Sequence, residues 1–236
     1  MTAAVLFDLD GTLADTARDL GGALNRLLAE DERAPIPYEV LRPHVSGGAR
    51  ALLRLGFGLT PADSDYTGFQ RRFLAHYQAA ICVDTVLFDG IAELLAELDA
   101  RAIAWGVVTN KSQRFTLALA EALGLRGRAA CLVSGDSSPR PKPDAQPLLL
   151  ACGLAGALPA QTLYVGDDVR DIHAGKAAGV TTVAVSYGYL GDGLPIAEWG
   201  ADRVVDTPAE ILALIDRTEP GADDQGEGDG RCGLGG

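Results

Sequence analysis

The chain opens on an unbroken apolar run, Val5-Leu6-Phe7, within Ala3–Leu9, and this run gives way to the polar string Asp8-Leu9-Asp10-Gly11-Thr12. A short continuous apolar run of this kind predicts a strand buried on both faces, as in a parallel sheet. From Phe88 onward helical and strand periods alternate. The pattern predicts helices at Ile91–Arg101, Arg114–Leu123, Pro147–Cys152, Asp171–Ala178 and Pro208–Arg217. It predicts strands at Ala102–Thr109, Ala129–Ser134, Leu163–Val165, Thr181–Ser186 and Arg203–Val205. Gly124 and Gly179 stand where helices stop. Between Thr16 and Asp84 the pattern holds no strand. It reads as a helix over Ala17–Ala29, a break at Pro35 and Pro37, a Ser46-Gly47-Gly48 loop and an amphipathic run over Phe69–Ala80.

Strands that alternate with helices predict an α/β fold, a doubly wound (Rossmann-like) parallel sheet core. The α-helical stretch 16–84 is then an inserted second domain, and residues 1–15 and 85–218 make up the core. Residues 219–236 carry seven glycines and no hydrophobic period, so a disordered acidic tail is expected there.

Composition narrows the function. The chain has 236 residues, 47% hydrophobic and 22% charged, which is ordinary globular usage. Its net charge of −12 is a poor match for nucleic-acid binding. No apolar run is long enough to span a membrane, and the N-terminus lacks the basic segment of a signal peptide. The four cysteines, Cys82, Cys131, Cys152 and Cys232, form no C-x-x-C pair or zinc spacing. They are expected to be reduced thiols in a cytoplasmic protein, monomeric or homodimeric.

In an open parallel sheet, ligands bind beyond the carboxyl ends of the strands. Those ends carry Asp8 and Asp10, Thr109-Asn110, then Lys142, and finally Asp167 and Asp168 with Asp171 one turn on. Clustered carboxylates repel unless a cation sits among them, and all-oxygen ligands favour Mg²⁺. A hydroxyl and a lysine ammonium beside such a cation suit phosphate oxygens. Asp8 and Asp10 are two residues apart, and in extended chain they face one side. One could attack phosphorus while the other protonates the leaving oxygen. The bland readings stand beside this one. Each aspartate alone could cap a helix or close a turn, Asp168 and Asp171 in particular, and Arg50 could be a solvated helix arginine.

Asp8-Leu9-Asp10-Gly11-Thr12, Val107-Val108-Thr109-Asn110, Lys142-Pro143 and Gly166-Asp167-Asp168 together resemble the four ordered motifs of the haloacid dehalogenase superfamily, over roughly residues 3–190. The resemblance implies a hydrolase with Asp8 as nucleophile and Asp10 as general acid and base. It implies that Thr109 and Asn110 hold the phosphoryl group, and that Lys142 balances charge. Mg²⁺ would be held by the Asp8 carboxylate, the Asp10 backbone carbonyl and Asp167, with Asp168 and Asp171 in support. Ala145 stands where the family pattern has a second proline, which loosens a loop and removes no reactive group.

The insertion between the first two motifs resembles the helical cap of one subfamily. Asp10 argues against carbon–halogen cleavage, and the absence of lysine from 16–84 excludes a Schiff-base lysine on the cap. Receiver domains share the aspartates, threonine and lysine but lack D-x-D-G-T and the insertion. Ser46-Gly47-Gly48-Ala49-Arg50, Leu87-Phe88-Asp89-Gly90 and Tyr187-Gly188-Tyr189 resemble two branches alike: phosphoglycolate phosphatases and phosphatases of N-acetylmuramic acid 6-phosphate. Both imply a small phosphate ester that also carries a carboxylate. Arg50, in the glycine-rich cap loop, is the candidate for reading that second anion, and Gly47 and Gly48 beside it are further substrate-binding candidates.

Overall fold

The computed structural model describes residues 1–191 and 193–217; the tail expected at 219–236 lies outside them. Six strands form one sheet: β1 (Ala4–Phe7), β4 (Ala104–Val108), β5 (Cys131–Val133), β6 (Thr162–Gly166), β7 (Thr181–Val185) and β8 (Arg203–Val205). Their order is β5-β4-β1-β6-β7-β8, and every pairing is parallel. The chain builds outward from β1 on one side through β4 and β5, then returns to its other side with β6. That reversal leaves a crevice at the carboxyl end of β1, where such folds bind ligands.

The alternation of β1 splits the core. Val5 and Phe7 face a cluster with Trp105, Val107 and Val165, covered by α5 (Ile91–Ala100) and α9 (Pro208–Arg217) through Leu94, Leu98, Ile211 and Ile215. Leu6 faces the other way. It packs with Val108 and Tyr164 beneath α7 (Gln146–Leu154) and α8 (Val169–Ala178). The remaining core helix, α6 (Gln113–Ala122), follows β4 and adds Leu119 to the first cluster. All three residues of β1's apolar run are fully buried, as a strand covered on both faces requires.

Within the insertion 16–84 lie the α-helices α1 (Ala17–Glu30), α2 (Tyr38–Leu41), α3 (Gly48–Phe57) and α4 (Tyr66–Ala79). They have a core of their own, with Leu24, Leu27, Leu52, Phe73 and Tyr77 buried together. A two-stranded antiparallel ribbon joins them to the sheet. It consists of β2 (Ala14–Asp15) and β3 (Val86–Leu87), in the register Ala14 to Leu87. Two-residue strands carry no periodic signal, and sequence reasoning missed this pair.

Two expectations need correction. The first strand ends at Phe7, not Leu9. Asp8 turns its own carboxylate back onto the Leu9 N–H at 2.7 Å, and the Leu9 carbonyl accepts from Leu13 and Ala14 at 3.1 and 2.9 Å. Asp8 and Asp10 therefore meet through a turn, not through extended chain. Ser46-Gly47-Gly48-Ala49-Arg50 is not a loop either. Residues Arg42–Gly47 form a 3-10 turn and Gly48 opens α3, so Arg50 sits in the first turn of a helix.

Candidate active site

Asp8 extends the sheet by one hydrogen bond, its N–H donating to the Val165 carbonyl at 2.9 Å. This places its carboxylate at the mouth of the crevice. Lys142 comes from the loop after β5 and is almost completely buried. Its Nζ lies 3.0 Å from Asp8 Oδ1 and 2.6 Å from Asp171 Oδ1, and it donates to the Val108 carbonyl at 2.9 Å and the Tyr164 hydroxyl at 2.8 Å. Burial pulls the ammonium's pKa down, but Asp171 and Asp8 outweigh it and the net shift is upward. Asn110 holds this lysine in place. Its side-chain amide donates to the Lys142 carbonyl and accepts the Lys142 N–H, both at 2.9 Å. The Asn110 side-chain amide is thus engaged with the protein. Thr109 is buried beside it and accepts the Lys111 N–H at 3.2 Å.

Asp8, Asp167 and Asp171 each offer a carboxylate oxygen, and these atoms lie within 4.8 Å of one another. With only the protein's charges in place, burial pushes the Asp8 carboxyl up to about 7; Lys142 opposes the shift while Asp171 and Asp10 add to it. Burial also pushes Asp167 well above the usual carboxylate range, with Asp8 and Asp171 adding repulsion. Asp167 sits in a tight seat. A Cβ on Gly11 would fall 2.1 Å from its Oδ2, and one on Gly188 would fall 2.2 Å from its Cβ. Gly11 also needs its φ of +86° to turn the chain.

Asp168 and Asp171 turn out to have the capping role as well. Asp168 accepts the Arg170 N–H at 2.9 Å, and Asp171 accepts the Asp168 N–H at 3.1 Å, a reciprocal cap on α8. Burial would raise the Asp168 carboxyl, but the Arg170 guanidinium holds it below its ordinary value. Asp171 has a second contact, since it also anchors Lys142.

The Asp10 carboxylate has a cation of its own. Both of its oxygens accept from Lys111 Nζ, at 2.8 and 2.9 Å, and the Thr16 hydroxyl donates to Oδ1. Asp8, Asp10 and Lys111 all open into one cavity of about 300 Å³ that runs up between the sheet and the helices above it. Its apolar lining includes Leu20, Phe73, Leu74 and Phe115. Gly47, Gly48 and Arg50 border it, and Arg50 is exposed there. The helices are pinned over the sheet by polar contacts. Ser46 Oγ donates to Asp167 Oδ2 at 3.0 Å, and Arg170 donates to the Ser46 carbonyl at 2.8 Å. Arg42 donates to the Tyr187 and Gly188 carbonyls, both at 2.9 Å.

Comparison with known proteins accounts for this arrangement. The family model described as haloacid dehalogenase-like hydrolase matches residues 5–185. The chain belongs to that family. One relative in this family, the N-acetylmuramic acid 6-phosphate phosphatase of Pseudomonas putida, is 43% identical over 90% of this chain and 96% of its own length. The phosphoglycolate phosphatase of Xanthomonas campestris pv. campestris is 40% identical over 88% of this chain and 94% of its own. A crystal structure of a predicted phosphoglycolate phosphatase from Haemophilus somnus superposes with a TM-score of 0.80 at 28% identity. It covers 91% of this chain and 98% of that one.

In this haloacid dehalogenase-like hydrolase, the motif aspartates, Thr109 and Lys142 do converge. Sequence reasoning missed Lys111, Tyr164, Ser46 and Tyr189. Tyr189 donates its N–H to Asp167 Oδ2 at 2.8 Å, and its hydroxyl accepts the Thr16 N–H at 2.7 Å. Lys111 carried a signal as a lysine directly following the Thr109-Asn110 strand end, and Ser46 and Tyr189 lay in strings noted for their resemblance without a role being assigned to either.

Proposed function

We propose that this protein is a Mg²⁺-dependent phosphomonoesterase that hydrolyses a small phosphorylated carboxylate, N-acetylmuramic acid 6-phosphate, through an aspartyl-phosphate on Asp8. The observation that carries the reading is the Asp8 carboxylate held 3.0 Å from the buried Lys142 ammonium at the switch point of the sheet, with Asp10 opening into the same cavity. A nucleophilic carboxylate needs that cation beside it to meet a phosphate dianion.

Asp8 attacks phosphorus, and the bond from phosphorus to the leaving oxygen breaks as Asp10 gives that oxygen a proton. Asp10 then takes a proton from a water that attacks the aspartyl-phosphate. The bond to Asp8 breaks, and inorganic phosphate leaves. Thr109 offers its hydroxyl to the phosphoryl oxygens, and Lys142 balances their charge. The donor set fits Mg²⁺, since the Asp8, Asp167 and Asp171 carboxylates crowd around a single lysine and offer oxygen ligands only. The Asp8 and Asp167 carboxylates and the Asp10 backbone carbonyl would hold the ion. When bound, Mg²⁺ supplies positive charge that lowers the repulsion between Asp8 and phosphate.

Two features favour the amino-sugar acid. The more similar of the named relatives bears that substrate in its name. The cavity, at about 300 Å³, also has more room than a two-carbon acid fills. The relatives named for phosphoglycolate support 2-phosphoglycolate as the second reading. The test is phosphate release with Mg²⁺ from each ester, with Asp8→Asn as blank. A preference of about 100-fold in kcat/KM, roughly 2.7 kcal/mol of transition-state discrimination, assigns the substrate. Turnover retained by Asp8→Asn refutes the mechanism.

A further inference from the structure

Lys111 is the second buried ammonium of the cavity, and its environment differs from that of Lys142. Its side chain is 8% exposed, and two of its N–H donors are taken by the two oxygens of Asp10. An ammonium has three donors. On its cavity side stands Tyr77 of α4, whose ring centroid lies 4.9 Å from Nζ. Tyr77 lines the same cavity, and its buried hydroxyl lies against Lys111, feeling the ammonium's charge in a contact too poorly aligned for a full hydrogen bond. The ammonium and the hydroxyl are thus paired only loosely with each other, at the border of the cavity.

The other cations bordering the cavity are committed or peripheral. Lys142 is on Asp8 and Asp171, Arg170 is on Asp168, and Arg50 is exposed. We propose that Lys111 and the Tyr77 hydroxyl form the subsite that reads the substrate's carboxylate, with Lys111 shared between that carboxylate and Asp10. The inference deepens, and rests on, the phosphomonoesterase reading above. It assigns the second anion to a core lysine and a cap tyrosine, not to Arg50. The subsite lies beside Asp10, so the same ammonium that reads the substrate also positions the group that serves the leaving oxygen. Because Tyr77 comes from the helical insertion and Lys111 from the end of β4, the subsite is complete only when the two parts are together.

The test is steady-state kinetics of wild type, Lys111→Met, Lys111→Arg and Tyr77→Phe on matched esters. One pair is N-acetylmuramic acid 6-phosphate against N-acetylglucosamine 6-phosphate, which lacks the lactyl carboxylate. The other is 2-phosphoglycolate against ethyl phosphate. Lys111→Met slows every ester, because Asp10 loses its partner. The ratio within a pair is the readout. Its preference for the carboxylated ester is expected to fall on the order of ten- to a hundredfold, mainly through KM, and Lys111→Arg is expected to restore part of it. Tyr77→Phe leaves the Lys111–Asp10 contact in place and is expected to cut the preference by up to about tenfold. An equal loss on both members of each pair overturns the subsite and leaves the substrate reading standing. A wild type that prefers neither carboxylated ester overturns both.

Discussion

Three carboxylates crowded within 4.8 Å should make the protein's stability depend on pH and on Mg²⁺ in a linked way. Burial raises the Asp8 carboxyl from its ordinary 3.8 to about 7. A group with a raised folded-state pKa favours folding while it is protonated. Its contribution is therefore complete below about pH 4 and is lost as pH rises through about 7. A shift of about 3 units corresponds to about 4 kcal/mol. That figure is an upper bound, because the Asp8 side chain is 13% exposed and water screens it. Without divalent cation, stability should fall between pH 4 and 7. Mg²⁺ at a hundred times its Kd should restore about 2.7 kcal/mol at neutral pH, or about 5–11 °C in Tm for a chain of this size. Thermal unfolding in chelator and in Mg²⁺ at pH 5, 6, 7 and 8 measures it. The Mg²⁺ shift should grow with pH, because protons compete for the same oxygens, and Asp167→Asn should abolish it. A shift that is flat with pH, or one that survives Asp167→Asn, would mean that the ion binds elsewhere, and the reasoning would fail.

Two further substitutions probe the seat of Asp167 and the border of the cavity. Gly188→Ala places a methyl 2.5 Å from the Gly11 carbonyl oxygen as well as against Asp167; it should weaken Mg²⁺ activation by at least about tenfold, read as the Mg²⁺ concentration for half-maximal rate, and unchanged activation would show that the seat relaxes. Arg50→Ala removes an exposed cation, so kcat/KM on carboxylated esters should drop by less than about fivefold; a larger drop confined to those esters would return the anion-reading role to Arg50.

Much of the fold could be read from the sequence because its strands are short, apolar and separated by good stop signals. The Val5-Leu6-Phe7 run, the Gly179 that ends α8 and the alternating strands and helices after Phe88 all declared the parallel sheet. The ribbon of Ala14-Asp15 with Val86-Leu87 was invisible, because two residues on each side carry no period and the pairing spans the whole insertion. Ser46-Gly47-Gly48 was also misread. Its glycines look like a loop, but Ser46 and Gly47 end a tight 3-10 turn that begins at Arg42 and Gly48 opens α3, with Arg42 bonded to the Tyr187 and Gly188 carbonyls and Ser46 to Asp167.

The site divides along the same line, between residues that act by type and residues that act by position. Asp8, Lys142 and Asp167 stood out because those charges at strand ends suit a phosphate, and the fold brings the three to one crevice. Asp10 was recognised for its carboxylate, but its direction depends on Lys111 and Thr16, and neither contact follows from spacing. Asn110 was picked out for the phosphoryl group, and its side chain clamps the backbone of Lys142, a contact that no spacing foretells. Tyr189 reaches Asp167 and Thr16 from more than twenty residues along the chain and from another strand end. Each of these contacts fixes the orientation of a charge that the sequence had already revealed. A catalytic carboxylate is useful only when it is aimed, and the aiming groups are hydroxyls, amides and one lysine, whose partners are chosen by the folded chain.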